Sequence, residues 1–153
     1  MKRWMLLGML LGCSMLLWGQ DTVPDTAVEK AAIKETALNY IEGWYEGNVE
    51  RMNKALHPDL VKRYMQTLPT GKSVTTTISK TTMIEYTRAA FGTRSPNKDK
   101  PNTVDVLSLD RNIASARCVS GDFYDYLQLV KTGDGWKIMN VLWTPVNPTP
   151  PRQ

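Results

Sequence analysis

Residues 122–143, DFYDYLQLVKTGDGWKIMNVLW, limit the fold more than any other stretch. Apolar side chains recur along it on both sides of Gly133-Asp134, a pair suited to a tight hairpin turn. With those residues at the centre of the turn, Thr132 faces Gly135, Leu129 faces Ile138, Leu127 faces Asn140 and Asp125 faces Leu142. Because side chains alternate along a strand, one face is expected to carry Phe123, Asp125, Leu127, Leu129, Trp136, Ile138, Asn140 and Leu142. That face is the more apolar and is assigned to the interior. Asp125 and Asn140 lie diagonally on it, close enough to share a hydrogen bond or a common ligand. A bare carboxylate in such a place is costly. Either Asp125 bonds a backbone amide or a helix hydroxyl and fixes the core, or Asp125 and Asn140 are the converging polar groups of an otherwise apolar small-molecule pocket.

The opposite face carries Tyr124, Tyr126, Met139 and Trp143, too apolar a set to be left in water. Tyrosine and tryptophan favour interfaces, so this face is expected to pair two copies of the chain. The alternative cover is the proline-rich tail, residues 146–153.

Upstream the pattern is helical. Thr26-Ala27-Val28-Glu29 has the form of a capping box, and Ile33, Ala37, Tyr40, Ile41 and Trp44 follow as one stripe. Gly47-Asn48 stops this helix and opens the next, whose buried edge is Val49, Met52 and Leu56. Pro58 is expected to end that helix and open a further short turn, PDLVKR. Val74, Thr76 and Ile78 suit a short extended piece. Thr82-Met83-Ile84-Glu85 reads as a second capping box, for a helix running to about Phe91 and stopped by Gly92. After the polar loop 93–102, everything from Thr103 to Thr144 reads as strands, with a first hairpin turning at Asp110-Arg111-Asn112. Helices followed by antiparallel strands make an α+β fold, helices packed on one face of a curved sheet.

The first 20 of the 153 residues read as a signal peptide: a basic MKR, then the apolar WMLLGMLLGCSMLLW, with Gly19 as the small residue at the cut. Residues 21–26 form a short leader, and 27–145 the domain. The apolar run is too short for a comfortable membrane span. The reading is therefore export, to a periplasm or the medium. Leu10-Leu11-Gly12-Cys13 offers a rival, a lipoprotein acylated at Cys13, and an uncleaved anchor is a third reading. Loss of Lys2 and Arg3 leaves 17 basic against 15 acidic residues, a net charge of +2 instead of +4. No basic run remains, so nucleic acid is not an expected partner. Cys118 is then a lone cysteine without an intramolecular disulfide partner, and His57 is the one histidine. A Cys/His metal site is excluded on these counts, no GxSxG is present, and no cofactor is called for. His57, before Pro58, suits a cap-like structural role or, by its ordinary pKa, a general base.

The segments EGWYEGN, ALHPDL, DFYDYLQL and GWKIMNVLW, spread over residues 27–144, resemble the Putative lumazine-binding branch of the nuclear transport factor 2-like superfamily. The resemblance implies a cone: a long helix and two shorter ones closing over a strongly bent, mixed, mostly antiparallel sheet, with a pocket at the open end. It also implies a homodimer joined through the outer sheet face. Steroid isomerases of the same superfamily pair a helix-one tyrosine with a carboxylic acid and use a second carboxylate as base. On that resemblance Tyr40 takes the tyrosine position, whereas the base position falls near Tyr64, which is no carboxylate. Dehydratase relatives require a histidine–aspartate pair, for which only His57 is available.

Three readings follow. One is an exported small-molecule-binding protein whose pocket uses Tyr40, Trp44, Asp125, Leu127, Asn140 and Leu142. The second is a lyase or isomerase, like the steroid isomerases or polyketide cyclases, with Asp125 and Tyr40 handling the proton. The third is an accessory dimerisation module whose cone is filled by its own side chains.

Overall fold

The computed structural model describes residues 26–147. The signal-peptide reading of residues 1–20 and most of the proline-rich tail lie outside the described residues. Three helices precede or interrupt a six-stranded sheet: α1 (Thr26–Glu46), α2 (Val49–Ala55), β1 (Leu56–Thr67), β2 (Ser73–Ser79), α3 (Lys80–Arg88), β3 (Thr103–Asp110), β4 (Ile113–Val119), β5 (Phe123–Thr132) and β6 (Gly135–Pro145). The sheet order is β2-β1-β6-β5-β4-β3. β1 runs parallel to β6, and every other neighbouring pair is antiparallel.

The helix stripe falls where the spacing put it, with Ile33, Ala37, Tyr40 and Ile41 buried against the sheet. The capping box at Thr26 does not form. Thr26 is already helical, and the Glu29 carboxylate instead accepts from Trp136 Nε1 at 2.8 Å and Lys131 Nζ at 2.5 Å, pinning α1 to the β5–β6 hairpin. Gly47 ends α1 at φ +67, and the Asn48 side chain caps α2 by accepting from the Arg51 amide at 3.1 Å. The N-cap of α3 is Ser79, not Thr82: its hydroxyl accepts from the Thr82 amide at 3.2 Å. α3 also ends early, at Arg88, as Ala90 turns to φ 57. Gly92 has a different duty from stopping a helix. A Cβ there would lie 2.2 Å from the Trp44 carbonyl oxygen, so the chain crosses α1 at a distance only glycine allows.

Residues 58–63 are not a helical turn. They belong to β1, where Pro58 is tolerated because the ladder to β6 is interrupted between Leu56 and Val61. Leu60, Lys62 and Tyr64 then alternate on the inner face. Further bulges interrupt β3 after Val106 and the β5–β6 ladder after Gln128. Each inserted residue bends its strand and strengthens the local twist, which is how this sheet curves around α1.

The bulge at Met139 corrects the register of the hairpin. Near the turn the simple pairing holds, with Thr132 against Gly135 and Leu129 against Ile138. Beyond Met139 every pair is displaced by one: Gln128 faces Asn140, Leu127 faces Val141 and Asp125 faces Trp143. A one-residue slip moves a strand's side chains to the opposite face. Val141 and Trp143 therefore turn inward. Asn140 and Leu142 turn outward, Leu142 to 60% exposure.

Candidate functional site

The inner face of the sheet and α1 enclose a cavity of about 300 Å³. Its walls are aromatic: Tyr40 and Trp44 from α1, Tyr64 from β1, Phe123 from β5, Trp143 from β6, and Tyr86 and Phe91 from the α3 side. The rings pack on one another. Tyr64 and Trp143 lie 4.6 Å apart between centroids, and Phe123 meets Trp143 edge-on at 5.2 Å and Trp44 at 6.5 Å. Thr76, Thr77 and Thr82 supply polar groups from β2 and α3.

One charged side chain belongs to the described lining, Lys62. Its ammonium donates to Asp125 Oδ1 at 2.7 Å and to the Tyr40 hydroxyl, and Tyr40 donates in turn to the same Asp125 oxygen at 3.0 Å. The ion pair is almost dry, with side-chain exposures of 7% for Lys62 and 0% for Asp125. Around it stand the rings of Trp143, Tyr40 and Phe123, whose centroids are 4.8, 5.2 and 5.7 Å from Nζ, a cation–π cage. Asp125 Oδ2 and Trp143 Nε1 are buried without a hydrogen-bond partner among the described residues. Burial first, and the Asp125 charge second, push the Tyr40 hydroxyl well above its ordinary 10, so it stays a protonated donor. The same two influences push the Cys118 thiol up to about 12, the state of an inert core cysteine.

The residues predicted from sequence divide sharply. Tyr40 and Trp44 line the cavity. Asp125 lies behind the lining, covered by Lys62 and Tyr40, and Leu127 is core. Asn140 and Leu142 do not line this cavity. The bulge places Asn140 on the outer face, in a groove with Ser115, Gln128 and Met139. Tyr124 and Tyr126 keep the outer face, Tyr126 at 53% exposure, but Trp143 is removed from it to the cavity wall. His57 stands apart from the cavity: its Nδ1 accepts from the Asp59 amide at 3.1 Å, a local turn contact. The residue that sequence reading missed is Lys62. Its signal was the alternation Leu60-Lys62-Tyr64, hidden by treating the residues after Pro58 as helical.

A second tyrosine of α1 is tied down at the cone's edge. Tyr45 donates to Asp122 Oδ2 at 2.9 Å, and its hydroxyl oxygen lies 3.1 Å from that of Ser120. Asp122 also accepts from Ser95 at 2.5 Å and Asn97 at 2.7 Å. Burial raises the Asp122 pKa, but the bonds from Ser95, Asn97 and Tyr45 outweigh it and hold the carboxyl below its ordinary 3.8. Burial, foremost, pushes the Tyr45 hydroxyl to about 12.

Helices on the concave side of a bent, bulged sheet, with an aromatic-walled cavity between them, define a nuclear transport factor 2-like cone. The chain belongs to the family described as Putative lumazine-binding, whose pattern matches residues 28–144. No curated protein matches it by sequence. Among solved structures it is similar to an NTF2-like protein of unknown function from Shewanella baltica OS155, at 18% identity and TM-score 0.61, over 82% of this chain and 98% of that one. An NTF-2-like protein of unknown function from Silicibacter pomeroyi DSS-3 follows at 14% and 0.59, over 79% and 98%. One from Methylobacillus flagellatus KT matches at 17% and 0.55, over 82% and 98%. At such identities the likeness is one of fold.

Among the described residues, no group of three or more His, Cys, Asp or Glu side chains is placed to hold a metal ion, and no helix is long and apolar enough to cross a membrane.

Proposed function

We propose that this is an exported protein that binds a small molecule in its cone. The observation that carries the reading is the cavity itself. About 300 Å³ of aromatic-walled space ends on a buried ammonium held by Asp125 and Tyr40. A concave, mostly apolar site with a few oriented polar groups is the usual form of a small-molecule pocket. The cavity also weighs against an accessory module with a filled cone. The isomerase or lyase reading has less support. Asp125 spends one oxygen on Lys62 and Tyr40 and is wholly covered, so it does not face the cavity as a free base.

The outer face supports a homodimer. Across the strands Arg63, Leu142, Tyr126, Arg117 and Asp105 form one row. A two-fold axis over Tyr126 and parallel to the strands would set Arg63 of each copy toward Asp105 of the other, Leu142 toward Arg117, and Tyr126 toward its own mate. Such self-complementarity is what an isologous interface needs.

Native mass spectrometry of the protein recovered undenatured from its host tests all three parts. The expected result is a dimer, shortened by the signal peptide, carrying a small molecule. A monomer overturns the dimer, an intact N-terminus overturns cleavage, and a protein that takes up no small aromatic molecule on titration overturns the pocket.

A further inference from the structure

The polar floor of the cavity is charged in its parts and neutral as a whole. Lys62 contributes one positive charge, and Asp125, 2.7 Å behind it, one negative. The described lining holds no other charged side chain. An anionic ligand entering this space would bury a charge that the floor has already balanced. Removing an unpaired carboxylate from water is expensive, and a balanced ion pair repays little of it. Asp125 Oδ2, buried and without a partner among the described residues, adds to that penalty.

An uncharged acceptor faces no such cost. A lysine ammonium has three N–H donors. Two are directed to Asp125 and Tyr40, and the remaining surroundings of Nζ are the faces of Trp143 and Phe123. A carbonyl or ring-nitrogen acceptor is a better partner for the third N–H than a ring face. The aromatic walls favour a flat ring system beside it, through offset or edge-on stacking.

Resting on the pocket reading above, we propose that the cavity selects planar, uncharged ligands carrying a hydrogen-bond acceptor and rejects their carboxylate counterparts. Lys62 is the donor, and Asp125 sets the charge preference without touching the ligand.

Equilibrium dialysis at neutral pH with three naphthalenes of nearly one shape tests this. 2-Acetylnaphthalene has the acceptor, 2-isopropylnaphthalene lacks it, and 2-naphthoate adds a charge. The ketone should bind tightest, by about tenfold over either of the others, the worth of one hydrogen bond to a charged donor. A carboxylate that binds as well as the ketone overturns the proposal while leaving the pocket reading intact. Failure of all three to bind overturns both. Asp125→Asn leaves Lys62 unbalanced and should shift preference at least tenfold toward 2-naphthoate. Should that variant not fold, the paired change Lys62→Met with Asp125→Leu removes both charges. It should bind ketone and hydrocarbon alike and still exclude 2-naphthoate. A ketone preference that survives the pair overturns the role of Lys62.

Discussion

Two tyrosines of α1, five residues apart in sequence, are each bound to an aspartate at one end of β5, and the two clusters could hardly be used more differently. Tyr45 meets Asp122 among Ser95, Asn97 and Ser120, all neutral donors or acceptors, and both carboxylate oxygens are engaged. That cluster ties the loop before β3 and the β4–β5 turn to the end of α1. Tyr40 meets Asp125 together with a lysine, deep inside, and one carboxylate oxygen finds no partner among the described residues. The first is a satisfied network of the sort that fixes a structure. The second keeps a charge pair where core packing would have been cheaper, beside the aromatic-walled cavity. The face this pair presents to the cavity is the Lys62 ammonium, with Asp125 covered behind it.

Breaking the buried pair should have the largest effect. Asp125→Leu or Lys62→Met alone strands the other charge and should cost about 3–5 kcal/mol in chemical denaturation. The double change should return close to the wild type or exceed it. A single Asp125→Leu variant more stable than the wild type, with its ligand binding unchanged, would remove Asp125 from the site altogether. Next comes Asp122→Ala, which leaves Tyr45 and its neighbours short of an acceptor and should cost about 1–3 kcal/mol with the cavity's binding unaffected. A loss of binding as large as the loss of stability would erase the distinction between the clusters.

The smallest effect is one of pH. The Asp122 carboxyl is held below its ordinary 3.8 when folded, so its contribution is complete above that value. It is lost as pH falls through the lower folded value, because the unfolded chain takes up the proton first. Urea denaturation between mildly acidic and strongly acid pH should show this slope in the wild type and less of it in Asp122→Asn. An unchanged slope would mean that the carboxylate is not what Ser95 and Asn97 hold.

Strands β2 to β6, the three helices and the α1 stripe were legible because each rests on local periodicity, whereas β1 was read as a helical turn after Pro58. Also legible was the presence of a carboxylate on the inner face, since the extra residue lies on β6 and the alternation of β5 runs unbroken through Asp125, Leu127 and Leu129. Asn140, Leu142 and Trp143 were assigned to the wrong faces for a single reason. A turn fixes register only as far as the first bulge, and nothing in IMNVLW announces that Met139 is the extra residue. Lys62 was missed because Pro58 suggested a helix start, whereas the proline sits in a gap of the β1–β6 ladder.

By itself, then, the sequence determined the class of fold, which follows from repeats of two and 3.6 residues and from turn chemistry, and its motifs marked the family. Tertiary structure decided which side of β6 faces the cavity and which lysine balances Asp125. Both depend on strand pairing across long separations, 63 residues in the case of Lys62 and Asp125. Such pairing is set by the curvature of the whole sheet and by no segment of the chain alone.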